Sequence, residues 1–180
     1  MIGVLVSGEG TNLQALLDAE LPVVAVASNM ADARALERAG GAGVATGVFL
    51  VDDHADREAR DAAMAEWLER HGVDLVVCAG YMQLLSPSFL ARFPNRVVNV
   101  HPAPLPEFPG AHPLEDLLAA GAPAAAATVH YVDDGVDTGA VIASDPVPVV
   151  RGDTVETLRA RVQEAEHRLL PEVVRELCAR

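Results

Sequence analysis

Lysine is absent from this 180-residue chain, and all 13 basic side chains are arginines. Without an amine side chain, neither Schiff-base chemistry nor a lysine-bearing phosphate loop is available. Basic residues are also outnumbered, with 26 acidic groups leaving a net charge of −13. A chain so acidic has no electrostatic footprint for nucleic acid. Only two cysteines occur, Cys78 within an apolar strand pattern and Cys178 near the C-terminus. They form neither a disulfide framework nor a metal-type spacing, and no two histidines show ligand spacing on one element. No metal is expected. Nor does any apolar run approach the roughly 20 residues that a membrane-spanning helix needs. The first residues, M-I-G-V-L-V, read directly as a strand with no basic leader region. A soluble cytoplasmic protein is expected, with neither a membrane nor a nucleic acid as partner.

What the chain does have is alternation. Apolar runs of strand length are expected at Ile2–Val6, Val23–Ala27, Gly47–Leu50, Asp74–Ala79, Val97–Val100, Ala127–Val132 and Val141–Ser144. Between and after them, helical patterns run over Asn12–Ala19, Asp32–Ala39, Asp56–His71, Pro87–Arg92, Pro113–Ala120 and Thr154–Arg180. Strands alternating with helices predict an α/β fold, a mostly parallel doubly wound sheet. The link from Val132 to Val141 is too short for a helical crossover, so the last two strands are expected to pair antiparallel. In the final helix, Val155, Leu158, Val162, Ala165 and Leu169 recur at steps of three and four, one buried stripe, with Pro171 expected to kink or divide it. No repeat or linker interrupts the pattern, and residues 1–180 read as a single domain.

Two places carry chemistry. In V-V-N-V-H-P, Asn99 and His101 lie two apart and so project together from a strand end, while Pro102 keeps His101 out of the helical region. Asp137 follows in D-D-G-V-D-T-G. An amide, an imidazole and a carboxylate at one point suit acyl transfer to an amine. The amide donates to an oxyanion and the imidazole moves a proton, while the carboxylate orients the imidazole and, by opposite charge, raises its pKa. The second place is S-G-E-G-T-N (Ser7–Asn12), where glycines and a helix N-terminus offer a phosphate site. Leu13 stands where a dinucleotide fingerprint needs a third glycine, so a monophosphate fits better. Glu9 must point away from an anion held there. The Gly80–Leu85 loop follows the fourth strand at the sheet's carboxyl edge, where it could wall a flat heterocycle. His112, at a helix start, is a second candidate substrate contact. His130, inside a strand, reads as structural, as do His54 and His71.

Together S-G-E-G-T-N-L-Q-A-L, G-Y-M-Q-L-L-S, N-V-H-P-A-P-L-P-E-F-P-G-A-H, T-V-H-Y-V-D-D-G-V-D-T-G and R-V-Q-E-A-E-H resemble the phosphoribosylglycinamide formyltransferase family nearly end to end. The resemblance implies a Rossmann-like formyltransferase fold. It also implies transfer of a formyl group from 10-formyltetrahydrofolate, the co-substrate, to the amine of glycinamide ribonucleotide in purine synthesis. By it, Asn99, His101 and Asp137 are the catalytic trio, and Gly10, Thr11 and Asn12 hold the nucleotide phosphate. Gln163 and Glu166 lie on the helix that holds the ribonucleotide, and Arg57 contacts the folate. The folate wall is Met82, Gln83, Leu84 and Leu85 with Asn99 and the loop Asp133, Asp134, Gly135, Val136 and Asp137. Gln83 stands where an arginine is common in the family, which leaves Arg57, with Arg60 nearby, as counter-charges for the folate tail. Small-molecule substrates and a monomer or homodimer are expected. The rival activities are hydrolysis of formyltetrahydrofolate and formylation of a charged tRNA; a nucleotide-binding relative without catalysis is the third alternative.

Overall fold

The computed structural model describes residues 1–179, which form two compact units, Met1–Val98 and the chain from Asn99 onward. Arg180, the last residue of the expected final helix, lies outside the described residues.

In the first unit, β1 (Ile2–Val6), α1 (Thr11–Asp18), β2 (Val23–Ser28), α2 (Arg34–Gly41) and β3 (Ala45–Val48) are followed by a 3-10 turn at Val51–Asp53. Then come α3 (Arg57–Arg70), β4 (Leu75–Cys78) and α4 (Pro87–Arg92). The strands lie in the order β3-β2-β1-β4, and β1 pairs parallel with both β2 and β4. Every residue of β1 and β4 is buried, as parallel strands covered on both faces require. Leu13 and Leu16 of α1 and Met64, Ala65 and Leu68 of α3 are fully buried. Each such leucine contributes about 1.5–3 kcal/mol by leaving water. The chain winds both ways from β1, so the carboxyl ends of β1 and β4 flank a topological switch point. Apolar Phe49 and Leu50 mimic strand in the sequence, but β3 ends at Val48 and the Phe49 ring instead meets Trp67 edge-on at 5.7 Å.

β5 (Val97–His101) runs into the second unit, followed by α5 (Pro113–Ala119), β6 (Ala124–Tyr131), β7 (Val141–Pro148) and α6 (Val155–Cys178). β6 and β7 are antiparallel, from Ala124 opposite Pro148 to His130 opposite Val141. Both strands extend beyond their expected spans because pairing recruits an alanine run on β6 and Pro146 and Pro148 on β7, residues with poor strand propensity. The core of this unit gathers Leu114 and Leu117 of α5, Ala125 and Ala127 of β6, and Leu158, Val162 and Ala165 of α6. Pro171 does not divide α6, which is one helix. A proline removes one intrahelical bond, and Leu170, Pro171, Val173 and Val174 are buried, so packing outweighs that loss. No described helix is long and apolar enough to cross a membrane.

Candidate active site

In the first unit, three loops meet at the sheet's carboxyl edge through Ser7. Its hydroxyl donates to Asn29 Oδ1 at 2.6 Å and accepts from the Met82 N–H at 2.8 Å. One side chain thus ties the ends of β1, β2 and β4. Gly10 precedes α1 in the left-handed region at φ 73°, and a Cβ there would come within 2.5 Å of the Ala35 Cβ. Close approach and positive φ together require glycine. Its carbonyl starts the helix by accepting from Gln14. Thr11 and Asn12 follow as the first helical residues, whose N–H groups point out along the helix axis. Glu9 is exposed and turned to α2, where Arg34 pairs with its carboxylate at 3.3 Å and Arg38 donates to its carbonyl at 2.7 Å. The acid is thereby answered within the loop's own surroundings.

The loop after β4 leaves Met82, Gln83 and Leu84 exposed, while Leu85 turns its side chain into the core. Arg57, the first residue of α3, is exposed. Arg60 is not available to a folate tail, contrary to the expectation from its position. Its side chain is fully buried and donates from Nε and Nη2 to Asp61 Oδ1 at 2.9 and 2.6 Å. Asp61 Oδ2 accepts from the Ser86 N–H at 2.7 Å, and Arg60 Nη1 donates to Gln83 Oε1 at 3.3 Å. The guanidinium thus holds the loop from below. An uncompensated partner left by its removal would cost about 3–5 kcal/mol.

The trio is assembled within the second unit. β5 projects Asn99 and His101 on one side, as the spacing of two predicts, and the loop after β6 returns Asp137 between them. His101 Nδ1 is 3.5 Å from Asp137 Oδ2, and Asn99 Nδ2 is 3.5 Å from Oδ1. The Gly110 N–H donates to Oδ2 at 2.9 Å. Asp137 itself sits at φ 53°, a conformation that its loop must enforce. Asp133 Oδ1 accepts from the Gly135 N–H and the Thr138 hydroxyl, closing the turn. Gly139 packs so tightly that a Cβ would fall 1.8 Å from the Tyr131 carbonyl oxygen. Asp134 and Val136 are exposed on the same loop. On α6, Gln163 is half-buried and Glu166 buried, three apart along one face. His112 stands exposed as the residue before α5 and caps nothing with its side chain.

Burial reverses the expected charge of His101. Only 4% of its surface is exposed, and burial pushes its pKa below 6.5 despite the opposing pull of the Phe108 carbonyl and Asp137, with His130 adding to the decrease. The carboxylate alone would raise it, but at 3.5 Å it does not repay the lost hydration. His101 is therefore neutral near pH 7. Its Nε2 lies 2.7 Å from the Phe108 carbonyl, which can only accept, so the proton sits there and Nδ1 is bare toward Asp137. Burial raises the Asp137 pKa, but His130, which can donate to it only once its ring is protonated, the Gly110 N–H and the charge of a protonated His101 outweigh this and hold it below 3.8.

The sequence reading missed His130. It is 1% exposed on β6, with Nε2 at 3.1 Å from Asn99 Nδ2 and 3.5 Å from Asp137 Oδ1. The available signal was Thr128, two residues earlier and so on the same strand face. Two buried polar groups in step on one strand point to a shared polar site.

The formyl transferase family model matches residues 1–174. The chain is 46% identical over 172 residues, 93% of its length and 80% of the relative's, to the phosphoribosylglycinamide formyltransferase of Mycobacterium tuberculosis. It is 40% identical to the trifunctional purine biosynthetic protein adenosine-3 of Chironomus tentans, but spans 13% of that larger protein. The crystal structure of glycinamide ribonucleotide transformylase 1 from Symbiobacterium toebii superposes with a TM-score of 0.94 at 49% identity, covering 97% of this chain and 85% of that one.

Proposed function

The chain belongs to the formyl transferase family, and on that premise we propose that it moves a formyl group from 10-formyltetrahydrofolate to the amine of glycinamide ribonucleotide, a step of de novo purine synthesis. The observation that carries this reading is the trio, an amide donor and a buried neutral imidazole around one carboxylate. The ribonucleotide amine attacks the formyl carbon, and an Asn99 N–H stabilises the oxyanion. The attacking nitrogen must shed a proton. His101 is neutral, and its bare Nδ1 can take that proton directly or through a water, becoming an Nδ1–H donor to Asp137. The same proton then leaves with the departing folate nitrogen as the tetrahedral species collapses. Asp137, held as a carboxylate, lowers the barrier by stabilising the transient imidazolium.

By the family resemblance, backbone N–H groups at Gly10, Thr11 and Asn12 hold the nucleotide phosphate, and Gln163 and Glu166 lie on the helix that holds the ribonucleotide. Met82, Gln83, Leu84 and the Asp133–Asp137 loop line the folate, with Arg57 toward its carboxylates. The family match across residues 1–174 supports treating residues 1–180 as one formyltransferase domain. A cytoplasmic monomer or homodimer acting on small molecules without a metal fits this chemistry.

The test is an assay of purified protein with 10-formyltetrahydrofolate, with and without glycinamide ribonucleotide. Release of tetrahydrofolate that requires the ribonucleotide and yields its formyl amide is expected. Ribonucleotide-independent release would make the protein a hydrolase, and no release would make it a non-catalytic relative.

A further inference from the structure

We propose that His130 is a positioning residue that sets which end of the Asn99 amide faces the reacting carbonyl. The inference rests on the reading of Asn99 as an oxyanion donor. His130 Nδ1 lies 2.8 Å from the Tyr131 carbonyl oxygen. A carbonyl oxygen accepts and never donates, so Nδ1 carries the proton and Nε2 of the neutral ring is a bare acceptor.

Two neighbours compete for that nitrogen. Asp137 Oδ1, at 3.5 Å, is itself an acceptor and offers nothing to a bare Nε2. Asn99 Nδ2, at 3.1 Å, is the nearer partner and can donate. His130 therefore consumes one of the two amide hydrogens and fixes the amide's orientation. The second hydrogen has only the long 3.5 Å contact to Asp137 Oδ1 and is the one left for a ligand oxygen. An amide turned the other way would present Oδ1 to the developing oxyanion, and repulsion would replace stabilisation. His130 is almost fully buried, so no water is at hand to take over its part.

The test is a double-mutant cycle between positions 130 and 99. His130→Leu is expected to lower kcat by about 100-fold, the scale of losing one oxyanion donor, with both KM values within about threefold of wild type. His130→Gln, which keeps an acceptor at the Nε2 position, recovers most of the loss and serves if the leucine variant does not fold. In an Asn99→Ala background, the substitutions at 130 should change kcat by less than about twofold, because the group they position is gone. Full multiplication of the two losses, or wild-type kcat in His130→Leu, overturns the proposal. If wild-type protein hydrolyses the donor without transferring its formyl group, the proposed function fails, and the same cycle is read on hydrolysis. Independently of any activity, 15N spectroscopy of His130 should show the Nδ1–H tautomer, and the Nε2–H tautomer would overturn the proposal.

Discussion

Both units bury ionisable side chains, but they treat them in opposite ways. In the unit from Met1 to Val98, Arg60 and Asp61 neutralise each other at 2.6–2.9 Å, and their remaining bonds go to Ser86 and Gln83 of one loop. From Asn99 onward, His101 and His130 each face Asp137 at 3.5 Å, and both imidazoles make their short bonds, 2.7 and 2.8 Å, to backbone carbonyls. Short bonds between full charges lock geometry. Backbone bonds fix the ring orientations yet leave one nitrogen of each imidazole uncommitted to a proton. The first arrangement builds a wall, and the second can move a proton.

The contrast breaks most sharply at Asp137. Asp137→Asn keeps a side chain tolerant of the left-handed region, so the loop should persist at its φ of 53°. The neutral amide cannot stabilise an imidazolium, and kcat should fall by roughly 1,000-fold or more, as when a catalytic His loses its carboxylate. Ribonucleotide binding, followed by calorimetry, should be nearly unchanged. Turnover near wild type would put the two buried clusters on the same structural footing.

Next in size is Arg60→Met. Leaving Asp61 buried without its cation should cost about 3–5 kcal/mol, read as a lower urea midpoint. Arg60→Met with Asp61→Leu should recover most of it. A single variant as stable as wild type would show that the pair is not the lock described.

Acid should act through the second cluster. The folded-state pKa of His101 is depressed, so its contribution to stability is full above 6.5 and is lost as pH falls from there through the folded value. Asp137 is also depressed, but its share stays intact down to its ordinary value of 3.8 and is lost only below it. Between pH 7 and 5 the His101 term should therefore appear without that of Asp137, with a slope of at most about 1.4 kcal/mol per pH unit. His101→Asn should flatten it in urea titrations at several pH values. An unchanged slope would mean that burial does not hold this imidazole neutral.

Smallest is Arg57→Ala. The side chain is exposed, so a contact to folate carboxylates is screened by salt. The folate KM should rise about two- to fivefold at low salt and less at high salt, with the ribonucleotide KM unchanged. An effect confined to the ribonucleotide would reverse the substrate assignments. Gln83→Arg adds a cation to this loop but sets it against the Arg60 guanidinium, now 3.3 Å from Gln83 Oε1. Little gain is expected.

How far the sequence could be read follows from which interactions have a periodicity. Asn99 and His101 were legible because strands alternate every two residues, and Asp137 because glycines bracket it. The parallel pairing of β1 with β2 and β4 followed from the alternation of strands with helices, and the antiparallel β6–β7 pair from the short connection between them. The charge on His101 was not legible, because the deciding partners are burial and the Phe108 carbonyl, and backbone groups carry no sequence signature. Arg60 looked like an exposed residue one turn from Arg57, since no local pattern reports that a neighbouring Asp61 and the loop at Ser86 will enclose it. His130 looked like part of a strand because its role depends on Asn99, far away along the chain.

The prolines of β7 have a consequence for association between molecules. The Val149 N–H donates to the Pro123 carbonyl, so in an alternating ladder the nitrogens of Pro146 and Pro148 point the other way, off the outer margin of the β5-β6-β7 order. There they break no bond to β6, and they erase two donors from the row that an arriving strand would need. A sheet margin without those donors is a poor template. At high concentration the molecule has a built-in defence against strand-by-strand polymerisation along β7.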